Sequence, residues 1–507
     1  MDPRVILGPS GIISRSDIRA DLERHGQDPE TLDLGSNMML HFVYKYLPAP
    51  PVSPTATLPL AGTSWVPDGV DRISRLPDVV LLDIISRLPA KDAARTAALA
   101  SRWRPLWRSA TLAIVDSHML PDGGASGPFI IGAPSPRVVT ASVSRALAAH
   151  PGPFHFVHLT CSNMDEHRGE MASWINTLVA KGVQDLVFVN RPWSIDLCLP
   201  TTLFSCASLT RLCLGVFMLP DTAAVPHGAR FPYLRELILC LNTMEERDLA
   251  FLLERSPVLE FLFIMGNQAG GVRLRLASHS LRCVQLGFSF SEDIDVNGAS
   301  RIKIGRAPNL RVLGYLQPGG QELGISNTVI VAGNKENTAP SVQILAMVVQ
   351  FGVRSAVKKV ADFLRCFPNL ETLHVHSPIL SEEHTGKVNL KFWQDRRRMK
   401  VFFYEFRGSR SEVAFLKFIA ERGRVLEQVV VVVAEECFSP GDDGMNAKLK
   451  PLTSAKWNNK SCKLQLFKSP FSGGGGPAYC HQIAADFGFA DPFDLQYYYK
   501  AERIPVS

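Results

Sequence analysis

The sequence predicts an α/β repeat fold: a small helical module, then an irregular solenoid built on a parallel sheet, then a closing strand-helix-strand unit. Three observations carry this reading. The apolar segment "LPDVVLLDIISRLPAKDAARTAALASRWRPLW", from Leu76 to Trp107, has the spacing of short helices. After it, one short apolar pattern returns ten times between Phe156 and Val431. Further on, "RRMKVFFYEFRGSRSEVAFLKFIAERGRVLEQVVVVV", from Arg397 to Val433, reads as strand, turn, helix and strand.

Composition narrows the classes. A chain of 507 residues, 46% apolar and 20% charged, exceeds one compact core unless it grows as a repeat array. Lys and Arg total 54 against 48 Asp and Glu, and the resulting +6 is too dilute to call for nucleic acid. No stretch reaches the roughly 18 apolar residues of a membrane span. The opening "MDPRVILGPSGIISRSDIRADLERHG" has an early acid and no unbroken apolar core, which argues against a secretory signal. The ten cysteines form no CxxC pair, and Cys161, Cys213, Cys240 and Cys283 lie in strand-like apolar runs. They read as buried thiols in a reducing compartment, cytoplasmic and/or nuclear, rather than a disulfide framework or zinc site.

Residues 1–70 read as an irregular N-terminal extension and Pro-rich linker, since "YLPAPPVSPTATLPLAG" from Tyr46 blocks helix and removes sheet donors. The helical module spans 71–112. Leu76-Pro77-Asp78 opens its first helix, with proline tolerated in the first turn and an acid near the positive end of the dipole. Val80, Leu81, Ile84, Ile85 and Leu88 form an apolar face at spacings of three and four, and Pro89 stops the run. A second helix runs from about Asp92 through Ala93, Thr96, Ala97, Leu99 and Ala100. Trp103 and Trp107 follow among Arg102, Arg104 and Arg108.

A hairpin packed on the rest of the chain is the plainer account of this pair. Against it stand the linkers on both sides, the second being "MLPDGGASGPFIIGAPSP" from Met119 to Pro136. The segment reads as a self-contained module with an apolar face left for a partner. A DNA-reading helix needs long polar side chains, whereas "AARTAALAS" offers methyl-sized ones.

The segment resembles the F-box motif: an initial Leu-Pro, an "LLxxIxxxLP" helix, "KDxxRT" and a terminal "SRWRxLW" occur in that order and spacing. The resemblance implies docking on the Skp-type adaptor of a cullin-RING ubiquitin ligase. It carries over to Leu76, Pro77, Leu81, Ile84, Leu88, Pro89, Thr96, Leu99, Trp103 and Trp107, some of them serving as core.

The repeat region spans 150–380. "FVHLTC" at Phe156 is followed by related units beginning at Val183, Leu209, Leu234, Leu259, Leu281, Leu310, Val342, Leu370 and Leu426. In each, the fourth and sixth positions point to one face of a strand and the fifth points away, giving a buried edge and an exposed residue. One unit cannot bury its edge; stacked neighbours can. Between strands, "MEERDLAFLLERSPVLE" places Leu249, Leu252 and Leu253 on one helical face, with Pro257 closing the helix. "FPYLREL", "SPVLEFL", "APNLRVL" and "FPNLETL" resemble the degenerate leucine-rich repeats of plant proteins, with no unit read as carrying the asparagine that ordinarily follows the strand. The resemblance implies a parallel sheet that presents Arg211, Glu236, Arg282, Arg311 and Thr372 to a target protein.

In the closing unit Val401, Phe403 and Glu405 alternate with Phe402, Tyr404 and Phe406; Gly408 breaks the strand; Val413, Leu416, Ile419 and Ala420 give a helix face that Gly423 ends. Residues 390–470 resemble the FBD domain that ends many plant F-box and leucine-rich-repeat proteins. The tail, 471–507, holds Gly473 to Gly476, a turn rather than a phosphate loop because Pro477 follows and no Lys-Ser or Lys-Thr does. The 13 histidines are dispersed, and no HExxH, GxSxG or Walker loop occurs, so no catalytic residue, metal or cofactor is expected.

Together these resemblances imply the plant F-box, leucine-rich-repeat and FBD-domain family and a non-catalytic substrate-recognition adaptor of a Skp-cullin-F-box ligase. The alternatives are a repeat scaffold or DNA-associated protein acting without the ligase, or a small-molecule receptor using the loops at 287–307 and 316–341.

Overall fold

The computed structural model describes residues 71–120, 137–191, 197–267, 272–287, 300–325, 328–329, 338–378, 399–423, 425–438, 444–469, 491–493 and 503–504, with short pieces at 23–24, 26, 40, 43–44 and 46–53. Most of the Pro-rich linker, the 121–136 stretch, Gly473 to Gly476, and Cys480 to His481 lie outside them. The chain divides into two compact units: Met1–Leu259 with Asn267–Ala269, and Glu260–Gly266 with Gly270–Ser507.

In the first unit α1 (Asp78–Ser86), α2 (Ala90–Thr96) and α3 (Trp103–Ser109) lead into β1 (Leu112–Val115). There follow α4 (Arg137–Ala149), β2 (Phe154–Leu159), α5 (Arg168–Ala180), β3 (Asp185–Val189), β4 (Arg211–Gly215), β5 (Glu236–Asn242) and α6 (Glu246–Arg255). The five strands lie side by side in chain order, and those from β1 to β5 pair in parallel. Register keeps equivalent repeat positions in one row, as at Asp185, Arg211 and Glu236. α6 is opened by a capping box between Glu245 and Asp248 and buries Leu249 and Leu252, as its spacing predicts.

The fourth and sixth positions are buried, among them Leu212, Leu214, Leu237 and Leu239. The expectation of an exposed fifth position is overturned: Val187, Cys213 and Ile238 are each 0% exposed. The sheet is covered on both faces, as parallel sheets ordinarily are. Part of the cover comes from the N-terminal extension, which is more than a linker. Leu40, Val43, Tyr46 and Val52 are buried, and the Tyr44 hydroxyl donates to the carbonyl of Thr160 at 2.7 Å. Burial, reinforced by the Cys240 thiol, pushes the Tyr46 hydroxyl up to about 12.

Strand-following asparagine is also present. Asn242 is buried, accepting from the Phe217 N–H at 3.1 Å and donating to the Leu214 carbonyl at 2.9 Å. It satisfies backbone groups that the turn out of the preceding strand leaves without ladder partners.

The second unit holds β6 (Phe261–Asn267), β8 (Cys283–Gly287), β10 (Val312–Leu316), β13 (Ile344–Val348), β14 (Thr372–His376), β15 (Met399–Phe406), β16 (Leu426–Val433), β17 (Lys463–Lys468) and β18 (Arg503–Ile504), adjacent in that order. All these pairs are parallel except the last. Three helices, α7 (Arg354–Arg365), α8 (Arg410–Arg422) and α9 (Gly444–Thr453), join them. The expected strand-helix-strand unit is β15, α8 and β16, and it continues the repeat strands through β14. Ser409 and Glu412 cap α8 reciprocally. Gly408 has φ +74° just before it, a conformation that L side chains rarely adopt.

A second sheet is built from β7 (Arg273–Leu276), β9 (Ser300–Ile304), β11 (Gln321–Ile325) and β12 (Thr328–Val329), in the order β12-β11-β9-β7. The segments 287–307 and 316–341, read from sequence as loops, therefore hold strands of this sheet. Hydrophobic alternation in "SRIKI" and "QELGI" is the signal that marks them.

Candidate functional site

The helical module is built around Leu81, Ile85, Ala93, Thr96, Trp103 and Leu106, all buried. A 3-10 turn at Ile73–Arg75 leads into α1. The segment Arg102-Trp103 clasps this entry. Arg102 Nε donates to the Asp78 carboxylate at 3.1 Å and Nη2 to the Leu76 carbonyl at 2.9 Å, while Trp103 Nε1 donates to Ser74 Oγ at 3.0 Å. The Thr96 hydroxyl donates to the Ala93 carbonyl at 2.6 Å. The arginine and tryptophan at the end of the motif thus hold its beginning.

Outside this core the module shows a concentration of apolar surface. Val79 is 77% exposed, Leu99 68%, Ile73 57% and Val80 41%. Successive helical residues turn by about 100°, so Leu81 and Ile85 face inward while Val79 looks out on the opposite side of α1. Among the ten expected contact residues, Leu81, Thr96 and Trp103 form core, Pro77 and Leu99 are exposed, and Leu76, Ile84, Leu88 and Pro89 are half-buried. Trp107 turns toward the end of α4 and meets the His150 ring edge-on at 5.3 Å. Ile73 and Val79 escaped the sequence reading; their signal is apolar character off the buried stripe.

The module is not separated from the repeats on its C-terminal side. α3 passes almost directly into β1, which pairs with β2, and Pro89 bridges to Ala113. Immediately after β1, the buried Asp116 accepts from the N–H groups of Thr160 and Cys161 at 2.6 and 2.7 Å. Burial pushes its carboxyl up to about 6, against those hydrogen bonds. The stretch "LAIV" is apolar and half β-branched, and it forms the first strand, ahead of the Met119–Pro136 interruption.

In the repeats, Arg211 forms a fork to Glu236 at 2.7 and 3.1 Å and reaches Asp185 at 3.1 Å. These three residues make a charged rung across β3, β4 and β5. Arg282 lies 3.5 Å from Glu260, and Arg311 Nε donates to Gln343 at 2.8 Å. Arg311 stays exposed. Thr372 is 8% exposed, contrary to expectation, because its short side chain lies between Ile344 and Lys400 of the flanking strands. Cys161, Cys213, Cys240 and Cys283 are buried, as their apolar surroundings predict. Among the described residues no three His, Cys, Asp or Glu side chains converge as metal ligands.

Comparison with known proteins follows the same division. An F-box domain model matches residues 73–113, and the repeat model of FBD-associated F-box protein At5g56370 matches residues 171–375. In Arabidopsis thaliana, F-box/LRR-repeat protein At3g59200 is 32% identical over 200 residues, 38% of this chain and 36% of its own length. FBD-associated F-box protein At4g13985 is 29% identical over 239 residues, 45% and 49% of the two chains. F-box/FBD/LRR-repeat protein At1g13570 is 28% identical over 194 residues, 38% and 43%. The match spans less than half the length of each of these relatives. The chain carries an F-box domain followed by leucine-rich repeats of the FBD-associated F-box kind.

Proposed function

We propose that the chain is a substrate-recognition subunit of a Skp-cullin-F-box ubiquitin ligase: the F-box docks on the Skp-type adaptor, and the repeats hold a target protein. The observation that carries this reading is the apolar surface of the F-box. Val79 and Leu99 stand out from a module whose own core is complete without them, and such a patch is characteristic of a protein interface. Ubiquitin transfer belongs to partner subunits, and a cytoplasmic or nuclear location goes with the reading. Arg311 and Arg282 retain exposure suited to target contact, while the Arg211–Glu236 pair acts mainly within the sheet.

Co-purification with the Skp-type adaptor tests the docking half. Val79→Asp with Leu99→Asp is expected to abolish capture without changing the melting temperature, since both side chains are exposed. Leu76→Ala with Leu81→Ala is expected to lose capture through loss of the core as well, at a cost of about 3 kcal/mol. Capture that survives both double changes would overturn docking through this surface, and absence of capture by the unaltered chain would favour a repeat scaffold acting without the ligase.

A further inference from the structure

The small sheet of β7, β9, β11 and β12 has two dissimilar faces. One carries Leu274, Leu276, Ile302, Ile304, Leu323 and Ile325, all buried. The other carries Arg273 and Arg275 from β7, and Arg301 and Lys303 from β9; the arginines are exposed and Lys303 is half-buried. Parallel register sets Arg273 beside Arg301 and Arg275 beside Lys303. On the far side of Arg301, Glu322 of β11 forms an ion pair with it at 2.7 Å. Among the described residues no carboxylate pairs with Arg273, Arg275 or Lys303.

Two features of this face run against stability. Like charges directly opposite on neighbouring strands repel, and parallel strands are ordinarily covered on both faces. Here, among the described residues, a parallel pair leaves Arg273, Arg275 and Arg301 exposed on one face and sets its cations two by two.

We propose that this face is a docking surface for an extended acidic segment of a protein partner. Alternate residues of one strand lie about 6.6 Å apart. An extended peptide with a carboxylate at every second position has the same repeat and can meet Arg273 and Arg275 in turn. The guanidinium fork suits carboxylates, which it binds through paired hydrogen bonds. Nucleic acid fits less well: such binders neutralise roughly 6 to 10 phosphates, and among the described residues this face offers three cations without a carboxylate partner. The proposal gives the chemistry of the target expected of the repeats, so it rests on the target-binding half of the proposed function and not on adaptor docking.

The test uses the full purified chain, without adaptor, and a fluorescein-labelled alternating Glu-Ser peptide followed by anisotropy at low salt. Binding is expected, and Arg273→Glu with Arg275→Glu should weaken it by about tenfold or more. The neutral pair Arg273→Gln with Arg275→Gln should weaken it less. Lys358→Glu with Lys359→Glu, an equal charge change on the exposed side of α7, should leave it within about twofold. Absence of peptide binding, equal losses in both reversed pairs, or tighter binding of oligothymidylate than of the peptide would each overturn the proposal. Adaptor capture is measured separately, so failure here leaves the docking result standing, and loss of capture leaves peptide binding intact.

Discussion

His158 is buried in β2, and burial, aided by repulsion from His118, pushes its pKa down to about 4. His376 ends β14, where burial and the Arg407 charge push it to about 3. Both imidazoles are neutral in the folded chain, whereas in the unfolded chain they take a proton near 6.5. Their stabilising contribution is complete above 6.5 and is lost as pH falls through 4 and 3. Asp116 runs the other way: raised to about 6 by burial, its contribution is complete below 3.8 and is lost as pH rises through 6. Denaturant unfolding between about pH 7 and about pH 5 should therefore show His158→Gln removing about 2 kcal/mol of acid destabilisation. Asp116→Asn should steepen the acid loss that remains. Sequence inspection places His158 in an apolar run but does not reveal its burial, which depends on what covers both faces of the strand.

Packing between elements depends on single close approaches. In the second unit Phe493 sits against β10 and β13, with its ring 5.2 Å from that of Tyr315. Asp491, two residues earlier, accepts from His374 Nε2 at 2.8 Å, and the Tyr404 hydroxyl donates to the Phe493 carbonyl at 3.2 Å. Gly314 makes room for the ring, since a Cβ there would lie 2.7 Å from both Phe493 Cζ and Ala346 Cβ. Gly314→Val is expected to cost about 2 kcal/mol by overpacking, and Phe493→Ala about 3 kcal/mol by opening a cavity. The double variant should lose less than the sum, because the added side chain enters the vacated space; strict additivity in chemical denaturation would refute the contact. In the F-box, Arg102→Ala removes the clasp on the Ile73–Arg75 turn. A loss of about 1 kcal/mol is expected, with weakened adaptor capture, because Ile73 lies on that turn. The ends of α1 and α8 were legible from Pro89 and Gly423, whereas the Ser409 cap of α8 emerged only in the structure. The role of Gly314 was not, since its neighbour Phe493 is far away in sequence.

At the scale of the molecule, segments that read as linkers serve as cover. Leu40, Val43, Tyr46 and Val52 are buried in the first unit, so a chain begun at Asp71 should lose soluble yield and melt at lower temperature. Unchanged melting would restore the linker reading. The F-box is joined to the first repeat through β1, so cutting between Ala110 and Leu112 should destabilise both parts rather than release two folded domains; limited proteolysis at that site measures it.

By itself, the sequence determined the order of helical module and parallel repeats, the repeat rows and the ends of a few helices, at Pro89, Pro257 and Gly423; the second helix, read from about Asp92 to Ala100, runs instead over Ala90–Thr96, with a separate helix at Trp103–Ser109. Those features depend on periodicity, proline, glycine and capping residues, which act over a few neighbouring positions. Only the tertiary structure decided that Val79 faces out while Leu81 faces in, that fifth-position residues are buried, and that 287–307 and 316–341 contribute strands to a second sheet. Burial is set by whatever chain comes to lie on a surface. In this protein Tyr44 meets Thr160 across 116 residues and His374 meets Asp491 across 117, distances over which local pattern carries no information.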